Sequence, residues 1–194
     1  MIGYILLIVI VALILWVVST YNFFVSIKAR IKAAVQEIGN QLKRQADLIP
    51  NLEASTKGYL KHEKGIFEDL TNARREIAKA VESGDVQKMT DAASKISGIL
   101  PSLKIAVEDN PELKASEVVG KLMDELRDTA DKIMYARRLF IDLTADYNVK
   151  RATMPASLVA SLFKFAELPG LITSDTGEHV EVKGEDLKTP KVDL

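Results

Sequence analysis

One histidine–glutamate pair has residue types that could do metal chemistry. His62 and Glu63 stand side by side, as in the His-Glu-x-x-His helix motif, in which two histidines four residues apart bind zinc and the glutamate is the general base. Ile66 occupies the position of the second histidine, and the other histidine is the distant His179. The chain has no cysteine, which removes thiolate ligands and cysteine nucleophiles. We expect no metal site, and His62 is predicted to be half-buried and bonded to a neighbouring helix.

Two adjacent arginines form the second candidate. Arg137 and Arg138 lie beside apolar positions of a long amphipathic stretch. We expect one of them to be partly buried and therefore to need a carboxylate partner on another helix, with Asp47, Glu63 or Asp142 as candidates. Such a pair would fix helix register, and anion binding at the surface is the functional alternative.

A third group of polar residues surrounds a proline. Lys43 precedes Asp47 by four residues, a spacing that allows an ion pair along one helix. Inside a helix, Pro50 leaves one carbonyl without its hydrogen bond, and Asp47 or Asn51 is predicted to satisfy the loosened backbone groups. A ligand site is the alternative, and Arg44 in the same stretch is a further candidate for a structural or interface contact.

Two glycines suggest a close contact between helices. Gly58 and Gly65 are seven residues apart and fall on one stripe of a helix predicted over 51–82. We expect another helix, of the same bundle or of a second subunit, to approach that stripe closely. Leu60 and Phe67 lie off the main apolar seam, and they either fill the core from its flank or form an interface.

The remaining sequence contains no signature of catalysis. No Gly-rich phosphate loop, nucleophile elbow or paired catalytic acids appear. The net charge of −1 does not fit a strongly basic nucleic-acid binder. We therefore predict no enzymatic activity, no cofactor, no small-molecule substrate and no nucleic-acid partner.

The N-terminal segment predicts a membrane anchor. Ile2–Val18 is apolar except for one glycine, and the first charged side chain is Lys28. A bilayer core needs about 20 apolar residues in a helix, so residues 2–25 are predicted to cross the lipid bilayer. The aromatic residues near one interface are Trp16, Tyr21, Phe23 and Phe24. A cleaved signal peptide is the alternative, but no basic residue precedes the apolar run and a good cleavage site is missing.

Basic residues next to this segment predict its orientation. Lys28, Arg30 and Lys32 follow the span directly. Since positive charge favours the cytoplasmic side, we expect the N-terminus outside and the body inside a bacterial cytoplasmic membrane. The same side chains would also meet anionic lipid headgroups, or simply form a solvated helix face.

The body has the apolar spacing of long helices. Apolar residues recur at alternating intervals of three and four, which predicts an all-α, up-and-down four-helix bundle whose first helix continues from the membrane helix. Helices are predicted near 20–48, 51–82, 85–107 and 116–152, although Pro50 could also kink one continuous helix.

Three regions follow from this pattern. They are an anchor over 1–25, a helical bundle over 26–167 and an acidic tail over 168–194 that is predicted to be flexible. Residues 156–167 carry several apolar side chains and one lysine. This segment is predicted to cap the end of the bundle, and an interfacial helix on the membrane is the alternative.

Several blocks in order also give the chain a family resemblance. They are Tyr21-Asn22, Leu42–Leu52, Gly58–Lys64 and Tyr135–Asn148, followed by Pro155, Leu158, Leu162 and Phe163. On these blocks residues 20–168 resemble the LemA family, and the acidic tail falls outside the resemblance. The resemblance implies a four-helix up-and-down bundle on a single-pass bacterial membrane anchor, and it implies no established catalytic activity.

These observations favour a protein that acts through contacts. We expect a membrane-anchored scaffold that forms a homo-oligomer and that could also touch another membrane protein. An adaptor or regulator of another membrane protein, or a lipid-binding protein that remodels membranes, is the alternative.

Overall fold

The computed structural model describes residues 1–60 and 64–172, and the regular structure in these ranges is entirely helical. The six helices are α1 (Ile2–Thr56), α2 (Lys64–Ser83), α3 (Val86–Glu108), α4 (Pro111–Lys114), α5 (Glu117–Ala152) and α6 (Ala156–Leu162). The predicted all-α class is confirmed. His62 and Glu63 lie outside the described residues, so their predicted roles have no structural counterpart here.

The first helix joins the apolar segment to the body without a break. α1 has 55 residues, which at 1.5 Å per residue is about 80 Å. Its apolar end is long and apolar enough to cross a membrane, with a mean hydropathy of 2.9 over 18 residues that the rest of the chain leaves unburied. Burial against other helices starts at Thr20. The predicted continuity between apolar segment and bundle is confirmed.

The predicted boundary at Pro50 is wrong. α1 continues through this proline to Thr56, and the chain turns only at residues 57–59. Ile49 and Leu52, on either side, are completely buried. Their burial outweighs the single hydrogen bond that the proline removes.

Helices α1 and α5 form the most extensive helix–helix contact in the body. They are antiparallel, because Phe24 lies against Tyr147 while Gln45 lies against Leu126. The α2–α3 hairpin covers only the half of this pair that is distant from the apolar segment. Its turn reaches the middle of α1, where the Cβ position of Gly39 is 3.9 Å from Met89.

The core divides into two clusters. The distal cluster joins α1, α2, α3 and α5, and the basal cluster lies where α1 leaves the body. Most predicted seam positions are buried in one or the other: Ile31, Ile38, Leu42, Gln45 and Ile49 of α1, and Leu126, Ile133, Ala136, Phe140, Leu143 and Tyr147 of α5.

The basal cluster is completed by the segment after α5. Ala156, Val159 and Ala160 of α6 are buried, so the predicted cap of the bundle is confirmed. The chain then runs along the body until the backbone N–H of Ile172 donates to the Gln87 side chain over 2.9 Å. Residues 168–172 thus contact α5 and α3, the flexibility of the tail from residue 168 onward stays a prediction, and residues 173–194 lie outside the described part.

The breaks between the later helices follow local signals. Gly84 has φ +66°, a conformation that favours glycine, and it ends the turn after α2. The side chain of Asp85 then accepts hydrogen bonds from the first turn of α3, and Ser116 does the same for α5. These caps place the helix starts within one or two residues of the predicted ones.

Candidate functional site

Aromatic side chains meet where α1 leaves the body, and we call this group the aromatic junction: Tyr21, Phe24, Tyr147, Phe163 and Phe165. The ring of Phe24 stacks on Phe165 with centroids 4.8 Å apart, and Phe163 meets Tyr21 edge-on at 4.9 Å. Tyr147 meets Phe24 at 5.5 Å. Aromatic contacts of this geometry add to ordinary apolar burial, so the junction fixes α5 and the C-terminal segment to the base of α1.

Polar contacts from α5 hold the segment after α6. The Tyr147 hydroxyl donates to the Ala166 carbonyl over 2.8 Å. Asn148 donates to the carbonyl of Leu168 over 2.8 Å and accepts from its N–H over 3.1 Å. Arg151 pairs with Glu167. Sequence reasoning placed Tyr147 in the seam but missed this clamp; the available signal was the Tyr-Asn pair close to the predicted end of the helix.

Burial changes the acidity of the tyrosine in this clamp. Desolvation raises the pKa of Tyr147 above 10.0, and the nearby positive charge of Arg151 acts in the opposite direction. Because the neutral form is favoured, the hydroxyl remains a hydrogen-bond donor over the whole physiological range.

The basic residues after the apolar segment lie on the surface. Lys28, Arg30 and Lys32 are all exposed, as a role in contacting solvent or headgroups requires. Lys150 joins them from α5, with its Nζ atom 5.7 Å from the centre of the Phe23 ring. The structure thus brings basic side chains from two helices to the base of the body.

The polar group around Pro50 is arranged differently from the prediction. Within the described ranges, Lys43 and Asp47 form no ion pair, and neither Asp47 nor Asn51 uses its side chain to satisfy the backbone near the proline. All three are exposed, so water can solvate these groups. Arg44 instead pairs with Glu125 of α5, and this contact fixes the register between the two helices.

The two glycines do not lie on one helical stripe. Gly58 is in the turn after α1, and Gly65 is in the first turn of α2. A Cβ atom at either position would have no described atom within 4 Å. The predicted close approach by another helix of this chain is therefore wrong, and approach by a second subunit stays a prediction. The off-seam residues Leu60 and Phe67 join the distal core.

The adjacent arginines do not bridge helices in the described structure. Arg138 is highly exposed and lies 3.9 Å from Asp142, four residues along its own helix. Arg137 is half-buried, and its Nε atom has no hydrogen-bond partner among the described residues. Arg137 and Arg138 form no pair with Asp47, because the antiparallel packing sets the neighbouring Gln45 against Leu126, far along α5 from the two arginines. A pair with Glu63 falls on residues outside the described ranges and stays a prediction.

The side chains that the structure brings together here are aromatic, amide and basic. In the described residues, no group of three histidine, cysteine or acidic side chains could hold a metal ion. The aromatic junction and the clamp hold the C-terminal segment against the body, and Lys28, Arg30 and Lys32 beside them are exposed.

Comparison with known proteins assigns the family. The family model described as the LemA family matches residues 34–183. The chain belongs to the LemA family. The match starts later than the resemblance seen in the sequence and includes part of the acidic tail. No curated protein matches the chain in a sequence search.

This LemA-family body has an apolar strip on its outer surface. Met134, Ile141 and Val149 of α5 are 65%, 39% and 61% exposed. Their spacing of seven and eight residues places them on one side of the helix, facing away from the core. Tyr135 beside them is 71% exposed. We call these four residues the α5 outer strip.

Proposed function

We propose that this protein is a membrane-anchored, non-catalytic scaffold that assembles with copies of itself. The observation that best supports this proposal is the continuity of α1, which joins an exposed apolar segment of membrane-spanning length to the helical body. A rigid connection of this kind holds the body close to the bilayer at a defined angle.

The membrane and the orientation are part of the same proposal. Lys28, Arg30 and Lys32 follow the apolar segment directly and are exposed. Positive charge at this place favours the cytoplasmic side, which puts the body in the cytoplasm of a bacterium and the N-terminus outside. Protease digestion of sealed cells and of inverted vesicles tests this orientation.

The α5 outer strip is the surface that supports self-assembly. Met134, Ile141 and Val149 share the outer side of α5 with the exposed, charged Arg138 and Asp142. A group of large apolar side chains next to charged ones is typical of the centre and rim of a protein–protein interface. Copies of the protein in one membrane all present this strip at the same height, because α1 sets the distance from the bilayer. Lateral contact between the strips would therefore bury them without lifting any copy out of the membrane.

Size measurement of the full chain in mild detergent tests the assembly. We expect the wild type to form a defined oligomer and the M134E/I141E variant to dissociate, since each glutamate would need to be buried in the interface. Ile105, 59% exposed on α3, supplies the control variant I105E, which should assemble as the wild type does. A monomeric wild type at all concentrations would contradict the scaffold and favour an adaptor of another membrane protein.

A further inference from the structure

The outward side of α6 is apolar although its inward side already caps the bundle. Met154, Leu158, Leu162 and Phe163 are 72%, 60%, 71% and 46% exposed. Leu158 and Leu162 are one turn apart on α6, Met154 precedes the helix and Phe163 follows it, and together we call these four residues the basal patch. Single exposed apolar residues are common on protein surfaces, but a continuous group marks a binding surface.

The basal patch lies at the height where the apolar part of α1 ends. Phe163 contacts Tyr21 with ring centroids 4.9 Å apart. The twenty residues from Ile2 to Tyr21 span about 30 Å as a helix, which is the thickness of a bilayer core. Thr20, directly before Tyr21, is the first buried residue of α1. A membrane crossed by this helix would therefore have its surface at α6.

The charges around the patch fit a lipid surface. Residues 147–166 contain Lys150, Arg151 and Lys164 but no acidic residue, and the first acidic residue of α1 is Glu37. Glu167, directly after this stretch, pairs with Arg151, so Lys150 and Lys164 with Lys28, Arg30 and Lys32 of α1 are the basic side chains of the base that have no described carboxylate partner. Anionic headgroups attract such a surface, and the attraction weakens as salt concentration increases.

We propose that the basal patch inserts into the interface of the same bilayer that α1 crosses. The patch is the second contact of the body with the membrane, and its occupant is the headgroup and upper acyl region of an anionic bilayer. This inference rests on the membrane anchor of the proposed function. A helix with one face in the protein and the other in the lipid interface fixes the tilt of the body as well as its height.

The sequence contains no cysteine, so one introduced cysteine is the single site at which a thiol-specific spin label can attach. Single variants L158C and L162C of the full chain receive a nitroxide label and are reconstituted into phosphatidylethanolamine–phosphatidylglycerol vesicles. Collision rates of the label with oxygen, which concentrates in lipid, and with a water-soluble nickel chelate report its surroundings. Ile105 is 59% exposed, close to the 60% of Leu158, so I105C is the matched control on the distant part of the body. V9C, in the apolar part of α1, reports on the anchor.

The proposal predicts a several-fold higher ratio of oxygen to nickel collisions at positions 158 and 162 than at 105. Ratios at 158 and 162 equal to that at 105, with a lipid-type ratio at position 9, would overturn the inference and leave the anchor intact. A water-type ratio at position 9 would overturn the anchor and the inference together. A third outcome is a low collision rate with both reagents that decreases further as the protein-to-lipid ratio increases. This result would show that a second copy covers the patch, and it would also overturn the inference.

Discussion

At the scale of residues, the hydroxyl of Tyr147 is the contact of the C-terminal clamp that comes from a side chain of the core. It donates to the Ala166 carbonyl over 2.8 Å from a fully buried side chain. We expect Y147F to lower the free energy of unfolding at neutral pH by about 1 kcal/mol, because the hydrogen bond that holds the C-terminal segment to α5 at Ala166 is lost. Thermal unfolding of the full chain in detergent, followed by circular dichroism, measures this loss. Y135F on the same helix is the control, since Tyr135 is 71% exposed.

The same tyrosine predicts a pH dependence. Burial raises the pKa of Tyr147 above the 10.0 of an unfolded chain. Its contribution to stability is therefore constant below pH 10 and is lost as the pH increases through the folded-state pKa. We expect the difference between wild type and Y147F to become smaller above pH 10, in parallel unfolding experiments at pH 8 to about 11. A constant difference over this range would contradict the raised pKa.

Arg44 and Glu125 carry the register contact that sequence reasoning assigned to Arg137 or Arg138. Both side chains are nearly half exposed, so the pair contributes at most about 1 kcal/mol. We expect R44E and E125R each to lower the midpoint of unfolding, and the double variant R44E/E125R to recover most of the loss. A double variant as unstable as the sum of the single variants would contradict direct pairing. R138E, next to the exposed Asp142, is the control and should have a smaller effect.

The sequence alone does not predict that Arg44 pairs with Glu125. Spacing along one helix shows which residues share a face, but it does not show the axial offset between two helices. Arg44 and Glu125 are 81 positions apart, and many other acid–base pairs are compatible with the same seams. The apolar seam itself was predictable, because burial of Ile38, Leu42 and Ile49 follows directly from their spacing.

At the scale of elements, Pro50 inside α1 costs stability. Its ring removes one backbone hydrogen bond, and proline in a helix interior is unfavourable by about 3 kcal/mol relative to alanine. We expect P50A to raise the free energy of unfolding by about 1–3 kcal/mol, in denaturant titrations of the full chain. The control is P111A, because Pro111 occupies the first turn of α4, where no bond is lost. A destabilised P50A would show that Ile49 and Leu52 pack only around a distorted helix.

Helix boundaries illustrate what a sequence can and cannot decide. Capping residues such as Asp85 and Ser116 act on their own helix, and they predict its start well. Pro50 allowed either a boundary or a continuous helix, and only the tertiary burial of its neighbours decides between them. The position of residues 168–172 against the body also depends on tertiary contacts, because the Asn148 side chain of α5 bonds both the N–H and the carbonyl of Leu168.

At the scale of the whole molecule, α1 and α5 run through both core clusters, whereas α2 and α3 lie almost entirely in the distal one. The long helices tie the clusters together, so complete unfolding should be one transition. Local opening can still differ, because the basal cluster depends on a short C-terminal segment held by the aromatic junction. If the basal cluster opens more easily than the distal cluster, the base can adapt to the membrane while the distal part of the body stays rigid.

Hydrogen exchange of the full chain in detergent tests this division. F165A removes the ring that stacks on Phe24 at 4.8 Å, and we expect faster exchange in the basal parts of α1 and α5 with unchanged exchange in α2 and α3. L103A removes a fully buried side chain of the distal cluster and should cost about 2–5 kcal/mol with the opposite pattern. Equal acceleration along the whole chain in both variants would show that the clusters open as one unit. In that case the base could not adapt to the membrane independently, and the patch and α1 would hold the body as one rigid unit.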